Sequence, residues 1–347
     1  MLNRNSFDSQ RENYSYIMSL GSFVYCEKKG YLNMKLNRLY VAALLIVFLM
    51  IVFSGCKKEE IISGLKEADI TVYTTIYHIE YIVNEIGGTS VAVHSIYPPG
   101  VDAHTFEPTS QDMTNIAVSD AFIYFGPSLE GFVSSTEKAL ASESVELIAL
   151  ESYPELFYTE GRDEDVANGN ARMDEINPHV WIDPLRMITM ADIITEHLSE
   201  LNPAEAETYN ENKQSLVLQL QKLDEQFKST LAKKDHKYMI VPHAAYSYWE
   251  ERYGVEEIAL SGLSPSEEPS QKYLTEIIRL ADEYEVKHVF YEQNTPDKLI
   301  EIIEQEIDAE AVLIHNLAVL TEDDIKFEED YFTIMQYNLD VLNYVFE

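Results

Sequence analysis

Short apolar runs of strand length alternate along the chain with amphipathic stretches that have the periodicity of a helix. In the first half, runs rich in β-branched and aromatic residues have the length of strands: Ile70–Thr75, Val91–Ile96, Ala121–Phe125 and Val145–Leu150. The amphipathic stretch after the first run ends at Gly87 and Gly88, where a helix is expected to stop. This alternation predicts a parallel sheet covered by helices.

A long stretch without helix breakers follows. It begins at Asn202-Pro203 and continues to about Lys233, with no proline or glycine after its first turn. About 30 helical residues at a rise of 1.5 Å reach about 45 Å, which is enough to run the length of a domain. Apolar residues recur along it at Leu216, Leu218, Leu220, Leu223, Phe227 and Leu231.

The strand and helix rhythm then restarts. Strands are predicted at Tyr238–Val241, Ile258–Leu260, His288–Tyr291 and Ala311–Ile314, and helices at Gln271–Tyr284 and Pro296–Ile307. We therefore predict an α/β fold with two lobes of mainly parallel sheet, joined by a long rigid helix. Ligands of open α/β sheets bind beyond the carboxyl ends of the strands, so the cleft between the lobes is the expected site. The predicted organisation is an extension and signal peptide (1–55), a tether (56–69), an N-terminal lobe (70–201), a linking helix (202–234) and a C-terminal lobe (235–347).

The beginning of the chain resembles a bacterial lipoprotein signal. After Lys35 and Arg38, Leu39–Phe53 is an uncharged apolar stretch of 15 residues. A membrane span needs about 20 residues, so this length favours a signal peptide. The stretch ends in Ser54-Gly55-Cys56, which implies a lipidated Cys56 as the mature N-terminus, anchored on the outer face of the cell membrane. An uncleaved anchor is the alternative, and both place the rest of the chain outside the cytoplasm.

Composition narrows the range of functions. The formal net charge is −35, from 25 Lys and Arg against 60 Asp and Glu, which excludes nucleic acid as a natural partner. Such a field raises the local concentration of cations, although an ordinary acidic extracellular surface explains the charge equally well. The only cysteines are Cys26 and Cys56, so the chain has neither a disulfide framework nor a paired-cysteine metal motif.

Three histidines lie close to prolines in loop contexts. His104 and His243 follow predicted strands, and His179 lies in the segment Asn177-Pro178-His179. Proline restricts the backbone and makes the position of a ligand reproducible. Neutral imidazole binds zinc and also manganese, copper, nickel and iron(II). The separations of these histidines match no short metal motif, and each histidine taken singly is better explained as a capped or hydrogen-bonded loop residue.

From about Ile70 onward the chain resembles the metal-binding solute receptors of bacterial ABC importers, the zinc and manganese class with a rigid helix between its lobes. The resemblance is carried by the His104 loop with Phe106-Glu107-Pro108, Pro178–Pro184, Val241–Tyr246, Gly262–Ser270, Val289–Gln293, and Asn202-Pro203 followed by Tyr209 and Asn212. It implies a monomeric receptor, not an enzyme, that captures Zn²⁺, with Mn²⁺ as the alternative, and delivers it to an importer permease. It also implies that His104, His179 and His243 are the metal ligands. Histidine at position 243, where manganese receptors often carry a carboxylate, favours zinc.

The fourth ligand is left open between His315 and water. The resemblance implies a carboxylate or water near Ile314–Ala318, and this segment has no Asp or Glu. We expect Glu107 to hold a ligand ring in place, and Glu292 to be structural. The acidic segment Pro154–Asn177 contains no histidine and is read as a solvated loop.

Two alternatives are a zinc-dependent hydrolase and an adhesive surface lipoprotein with a structural metal. The hydrolase would need a general base beside the metal, for which Glu107 is the candidate. No metalloprotease HExxH, serine-hydrolase GxSxG or phosphate-binding P-loop pattern occurs in the chain.

Overall fold

The computed structural model describes residues 68–157, 177–266, 269–293 and 298–346, and all of these belong to one compact unit. The predicted signal peptide, the lipidation site Cys56 and most of the acidic loop after Pro154 lie outside the described residues. Among the helices of the described residues, none combines the length and the apolar character needed to cross a membrane.

The first half forms a four-stranded sheet in which every strand pair is parallel. Its strands are β1 (Ile70–Thr74), β2 (Val91–Ser95), β3 (Ala121–Tyr124) and β4 (Glu146–Ala149), in the order β2-β1-β3-β4. The helices between them are α1 (Tyr77–Gly87), α2 (Ser110–Ala117) and α3 (Val133–Leu140). The predicted strands and the parallel sheet are confirmed.

The second half repeats this arrangement. Its sheet has the order β6-β5-β7-β8, again with parallel pairs. The strands are β5 (Tyr238–Val241), β6 (Glu256–Ala259), β7 (His288–Glu292) and β8 (Glu310–Ile314). Two helices precede this sheet, α4 (Pro184–Leu201) and α5 (Ala206–Leu231). The helices within it or after it are α6 (Ser247–Tyr253), α7 (Gln271–Glu283), α8 (Lys298–Ile307), α9 (Glu322–Lys326) and α10 (Tyr331–Val345).

The predicted long helix is α5, which has 26 residues after a short 3-10 turn at Pro203–Glu205. At 1.5 Å per residue it is about 39 Å long. It packs against α1 and α4 on the side of the first sheet and against α6 and α10 on the side of the second. A single helix therefore contacts both lobes, as expected for a rigid connection.

Not every apolar residue of α5 belongs to its buried face. Leu216 and Leu220 are buried, but Leu218 is 68% exposed. Residues four apart lie on the same face of a helix, whereas a residue two positions away points to the opposite side. The buried face of α5 therefore follows helical spacing.

The apolar core runs through both lobes. A large cluster of buried residues includes Trp181 from the segment before α4 and Trp249 and Tyr331 from the second half. Trp249 Nε1 donates a hydrogen bond to Ile182 O at 2.8 Å, and Tyr331 Oη donates one to Trp181 O at 2.9 Å. These bonds hold the segment that follows His179 against the second lobe.

Candidate metal centre

His104, His179 and His243 come together in the cleft. His104 lies in the loop after β2, His179 lies just before a 3-10 turn at Val180–Ile182, and His243 follows β5. Their ring centroids are 5.0–5.7 Å apart, and one nitrogen from each ring lies within 4.8 Å of the others. His179 Nε2 and His243 Nε2 face each other at 3.3 Å. Ligand atoms around tetrahedral zinc are about 3.4 Å apart, given bonds of about 2.0–2.1 Å, so the cluster is close to the size that zinc needs.

Asn177 fixes the ring of His179. Its Oδ1 accepts hydrogen bonds from His179 Nδ1 at 2.7 Å and from the His179 backbone N at 3.0 Å. Its Nδ2 donates to Ala244 O and Ser247 Oγ, at 3.0 and 2.8 Å, so the amide is oriented from the second lobe. Since Oδ1 only accepts, the proton of His179 is assigned to Nδ1. The lone pair of Nε2 is then directed at the cluster.

Glu292 has the corresponding role at His243. Glu292 Oε1 lies 3.1 Å from His243 Nδ1 and accepts a hydrogen bond from Tyr246 Oη at 3.1 Å. Glu292 Oε2 accepts from Asn316 Nδ2 at 2.7 Å. The carboxylate and the imidazole are only 4% and 2% exposed. Carboxylates placed in this way orient a metal-binding imidazole and raise its basicity.

The charges in the cleft affect the three imidazoles differently. Burial, followed by the charge of His243, lowers the pKa of His104 to about 4. Burial and the neighbouring histidines hold the pKa of His179 well below its usual value. Burial also disfavours a charged His243, but the adjacent Glu292 outweighs it and raises the pKa of His243. Near neutral pH, His104 and His179 are therefore uncharged and have lone pairs available.

The cluster opens into a cavity of about 310 Å³. Asp102 and Asn316 contribute polar groups to its wall, and Ala318 and Val319 contribute apolar surface. Asp102 also shapes the loop of His104, because its carboxylate accepts hydrogen bonds from the His104 backbone N and from Thr105 Oγ1, both at 3.0 Å. The cavity gives the three imidazoles access to a small solute.

The structure does not support His315 as the fourth ligand. His315 Nδ1 accepts a hydrogen bond from Leu317 N at 3.0 Å, and Nε2 lies 3.1 Å from Asp324 Oδ2. Both ring nitrogens therefore have other partners, and the ring is not part of the three-histidine cluster. The backbone turns sharply here because Leu317 has a φ of 59°. Asn316 and Ala318, instead of His315, reach the cavity wall.

The expected supporting role of Glu107 is also wrong. Glu107 is exposed and does not line the cavity. Asn177 and Glu292 hold the ligand rings instead, although the sequence interpretation made Glu292 structural and gave Asn177 no role. A signal for Asn177 existed, since an Asn or Asp side chain commonly bonds to the backbone two residues further on.

The match to known families agrees with this geometry. Residues 72–344 match the model of the family described as zinc-uptake complex component A, periplasmic. The chain belongs to this family. The sequence resemblance to metal-binding solute receptors is thereby confirmed, and so is the two-lobe α/β fold with a long helix.

Curated relatives carry zinc in their names. The zinc-binding protein AdcA of Streptococcus pyogenes serotype M1 is 29% identical over 310 residues, which are 86% of this chain and 60% of AdcA. The chain thus spans about 60% of the length of such AdcA relatives. The high-affinity zinc uptake system protein ZnuA of Bacillus subtilis is 28% identical over 299 residues, which are 85% of this chain and 93% of ZnuA.

Solved structures of the same architecture include a zinc-bound one. The Zn(II)-bound ZnuA-like domain of AdcA from Streptococcus pneumoniae matches with a TM-score of 0.66 and 26% identity, over 80% of this chain and 99% of that chain. The laminin-binding protein of Streptococcus agalactiae, described as an adhesin with metal-transporting activity, matches with a TM-score of 0.68 and 25% identity, over 80% of this chain and 100% of that chain.

Proposed function

We propose that this member of the zinc-uptake family is an extracytoplasmic receptor that captures Zn²⁺ and delivers it to the permease of an ABC importer. The observation that carries the proposal is the convergence of His104, His179 and His243 with their ring nitrogens within 4.8 Å. Asn177 contacts Nδ1 of His179 and Glu292 contacts Nδ1 of His243, and metal-binding histidines commonly have such a partner on the ring nitrogen that does not bind the metal. The zinc named in the relatives AdcA and ZnuA is consistent with it.

Capture requires no chemical step. Each imidazole donates a lone pair, His104 and His179 from the first lobe and His243 from the second, so bound metal connects the lobes. Three nitrogen ligands favour Zn²⁺ over Mn²⁺, which prefers oxygen ligands. Because His315 has other partners, we propose that water from the cavity completes the coordination. Since α5 contacts both lobes, closure around the metal is a small movement.

The remaining parts of the proposal concern the location of the protein. We propose that Cys56 is lipidated and anchors a monomeric receptor to the outer face of the cell membrane. The AdcA relative from Streptococcus pneumoniae is named a zinc-binding lipoprotein, which is consistent with this anchor.

The hydrolase alternative is disfavoured by the surroundings of the cluster. Its candidate base, Glu107, is exposed and does not line the cavity. The carboxylate that does lie beside the histidines, Glu292, contacts His243, Tyr246 and Asn316. A general base must reach the attacking water, and a carboxylate with these partners is better placed to orient a ring.

Calorimetric titration of the metal-stripped chain from Lys57 onward tests the proposal. We expect tight one-to-one binding of Zn²⁺ and weaker binding of Mn²⁺. A variant with His104→Ala, His179→Ala and His243→Ala should lose the tight event. A matched variant, His94→Ala/His236→Ala/His288→Ala, removes the same number of imidazoles elsewhere and should keep it. Absence of tight binding by the unmodified protein, or its survival in the first variant, would overturn the proposal.

A further inference from the structure

A second group of metal-binding side chains lies at the far end of α4. His197 and Glu200 are three residues apart on this helix, and residues at that spacing lie on one face. Glu146 is the first residue of β4, the edge strand of the first sheet. One nitrogen of His197 and one oxygen from each carboxylate lie within 4.8 Å of one another. Two separate elements therefore bring an imidazole and two carboxylates together.

The ring of His197 is held between two partners. Its Nδ1 lies 2.8 Å from Glu146 Oε1, and its Nε2 lies 2.6 Å from Tyr153 Oη. Because a carboxylate only accepts, His197 Nδ1 donates to Glu146 in the metal-free protein, and Tyr153 Oη donates to Nε2. A hydroxyl oxygen also accepts, so Tyr153 can accept a hydrogen bond from Nε2–H when a cation replaces the proton on Nδ1. Metal-binding histidines commonly donate their second ring nitrogen in this way, which fixes the ring orientation. The contact with Tyr153 can therefore hold the ring of His197 in place while Nδ1 exchanges its proton for a cation on the side of Glu146.

The group of Glu146, His197 and Glu200 is partly exposed to solvent and lies among further negative charges. The side chains of His197 and Glu146 are 19% and 39% exposed, and Glu200 is exposed. Burial, followed by nearby carboxylates, raises the pKa of Tyr153, and these carboxylates are Glu196, Glu155, Glu146 and Glu200. A divalent cation reaching this surface would be attracted by their combined charge and would offset their mutual repulsion.

We propose that Glu146, His197 and Glu200 form a second, exchangeable site for a divalent cation of the zinc class. One imidazole and two carboxylates are a ligand set that zinc accepts, with water in the open position, whereas Ca²⁺ and Mg²⁺ prefer oxygen ligands alone. The site binds weakly, because its ligand atoms must approach from within 4.8 Å to about 3.4 Å and are partly hydrated.

This site is separate from the three-histidine cluster and does not depend on its function. His197 lies 14 residues after Asp183, the N-cap of α4, which corresponds to about 21 Å along the helix. Side chains on α4 and β4 supply the second site, whereas His104, His179 and His243 lie in loops. Its occupation therefore places a second cation on the outer surface of the first lobe.

Calorimetry with Zn²⁺ tests the site in the full-length protein carrying His104→Ala/His179→Ala/His243→Ala. We expect one remaining weak binding event. Adding Glu200→Gln should weaken this event at least tenfold, and adding His197→Gln should abolish it. Glu196→Gln is the control, because it makes the same charge change about one helical turn before Glu200 on α4 and lies outside the cluster. It should change the Kd of the weak event less than twofold. No remaining event, or an equal loss from Glu196→Gln, would overturn the proposal.

NMR of the imidazole nitrogens tests the same site without any substitution. Zn²⁺ added to the unmodified full-length protein should first shift the signals of the three cleft histidines. Beyond one equivalent it should shift Nδ1 of His197, and the ring proton should then be found on Nε2. If the His197 signals stay unchanged at several equivalents, the second site does not exist, whatever happens in the cleft.

Discussion

Replacement of Glu292 by glutamine tests whether this carboxylate acts on zinc through His243. The variant keeps the shape of the side chain and removes its charge. In the unmodified protein, Glu292 Oε1 lies 3.1 Å from His243 Nδ1, and both groups are almost fully buried. Burial opposes ionisation of Glu292, but His243 and hydrogen bonds from Asn316 and Tyr246 outweigh it and hold the pKa of Glu292 below its usual value. The carboxylate is therefore charged at neutral pH.

Two opposing effects determine the size of the change. Loss of a carboxylate that orients a metal-binding imidazole typically weakens metal binding about 10–100-fold, which corresponds to about 1.4–2.8 kcal/mol. The same substitution removes the charge that raises the pKa of His243, so burial lowers it. A proton then competes less strongly with zinc for His243 in mild acid. We therefore expect the full loss of affinity at about pH 8 and a smaller loss at about pH 6.

Competition with a chromogenic chelator at both pH values measures these affinities. Glu257→Gln is the control, because Glu257 also raises the pKa of His243 by its charge but accepts a hydrogen bond from Tyr246 N at 2.8 Å instead of contacting the ring. We expect Glu257→Gln to change the zinc Kd less than threefold. Equal zinc affinity of Glu292→Gln and the unmodified protein, or a loss that is the same at both pH values, would refute the role given to Glu292.

Three further predictions follow from the same geometry. Between about pH 7.5 and 5, the logarithm of the zinc affinity should fall with a slope near one below the raised pKa of His243, because His179 and His104, whose pKa is about 4, are already neutral. Calorimetry in buffers of different ionisation enthalpy should count one released proton. A zinc affinity that does not change with pH would contradict histidine ligation. His315→Ala should leave the zinc Kd unchanged within about twofold by chelator competition, and a tenfold loss would restore it as a ligand. Leu220→Ala on α5 should lower the free energy of unfolding by about 2–5 kcal/mol in urea titration, whereas Leu218→Ala should change it by less than about 0.5 kcal/mol; similar losses would mean that the buried face of α5 is misassigned.

Strand positions were predictable because their signal is local. Parallel strands are covered on both faces and read as short apolar runs, such as β5 (Tyr238–Val241), whose predicted and observed bounds are the same. Apolar residues alone do not define the buried face of α5, because Leu218 is 68% exposed. Its neighbours Leu216 and Leu220 already indicated the buried face by their spacing of four.

The ligands were predictable as residues but not as a cluster. The nearby prolines indicate His104, His179 and His243 as candidate ligands. Only the resemblance to metal receptors predicts that the three bind one metal, because their spacing matches no local motif. The reason why His315 does not join the cluster is not visible in any sequence pattern. A residue after a strand points into the cleft or away from it according to the backbone that follows, and here Leu317 adopts a φ of 59°. The neighbouring Asn316 lines the cavity instead.

The support of His243 by Glu292 depends on the order of the strands in the sheet, and no local sequence pattern indicates it. β5 and β7 are adjacent, and Ile240 pairs with Val289. His243 follows the end of β5 and Glu292 is the last residue of β7, and their side chains meet beyond the carboxyl ends of these two strands, at 3.1 Å. In the chain these two residues are far apart, and a strand β6 lies between them in sequence. The carboxylate thus reaches its imidazole only through the order β6-β5-β7, so the basicity of this ligand is a property of the assembled second lobe.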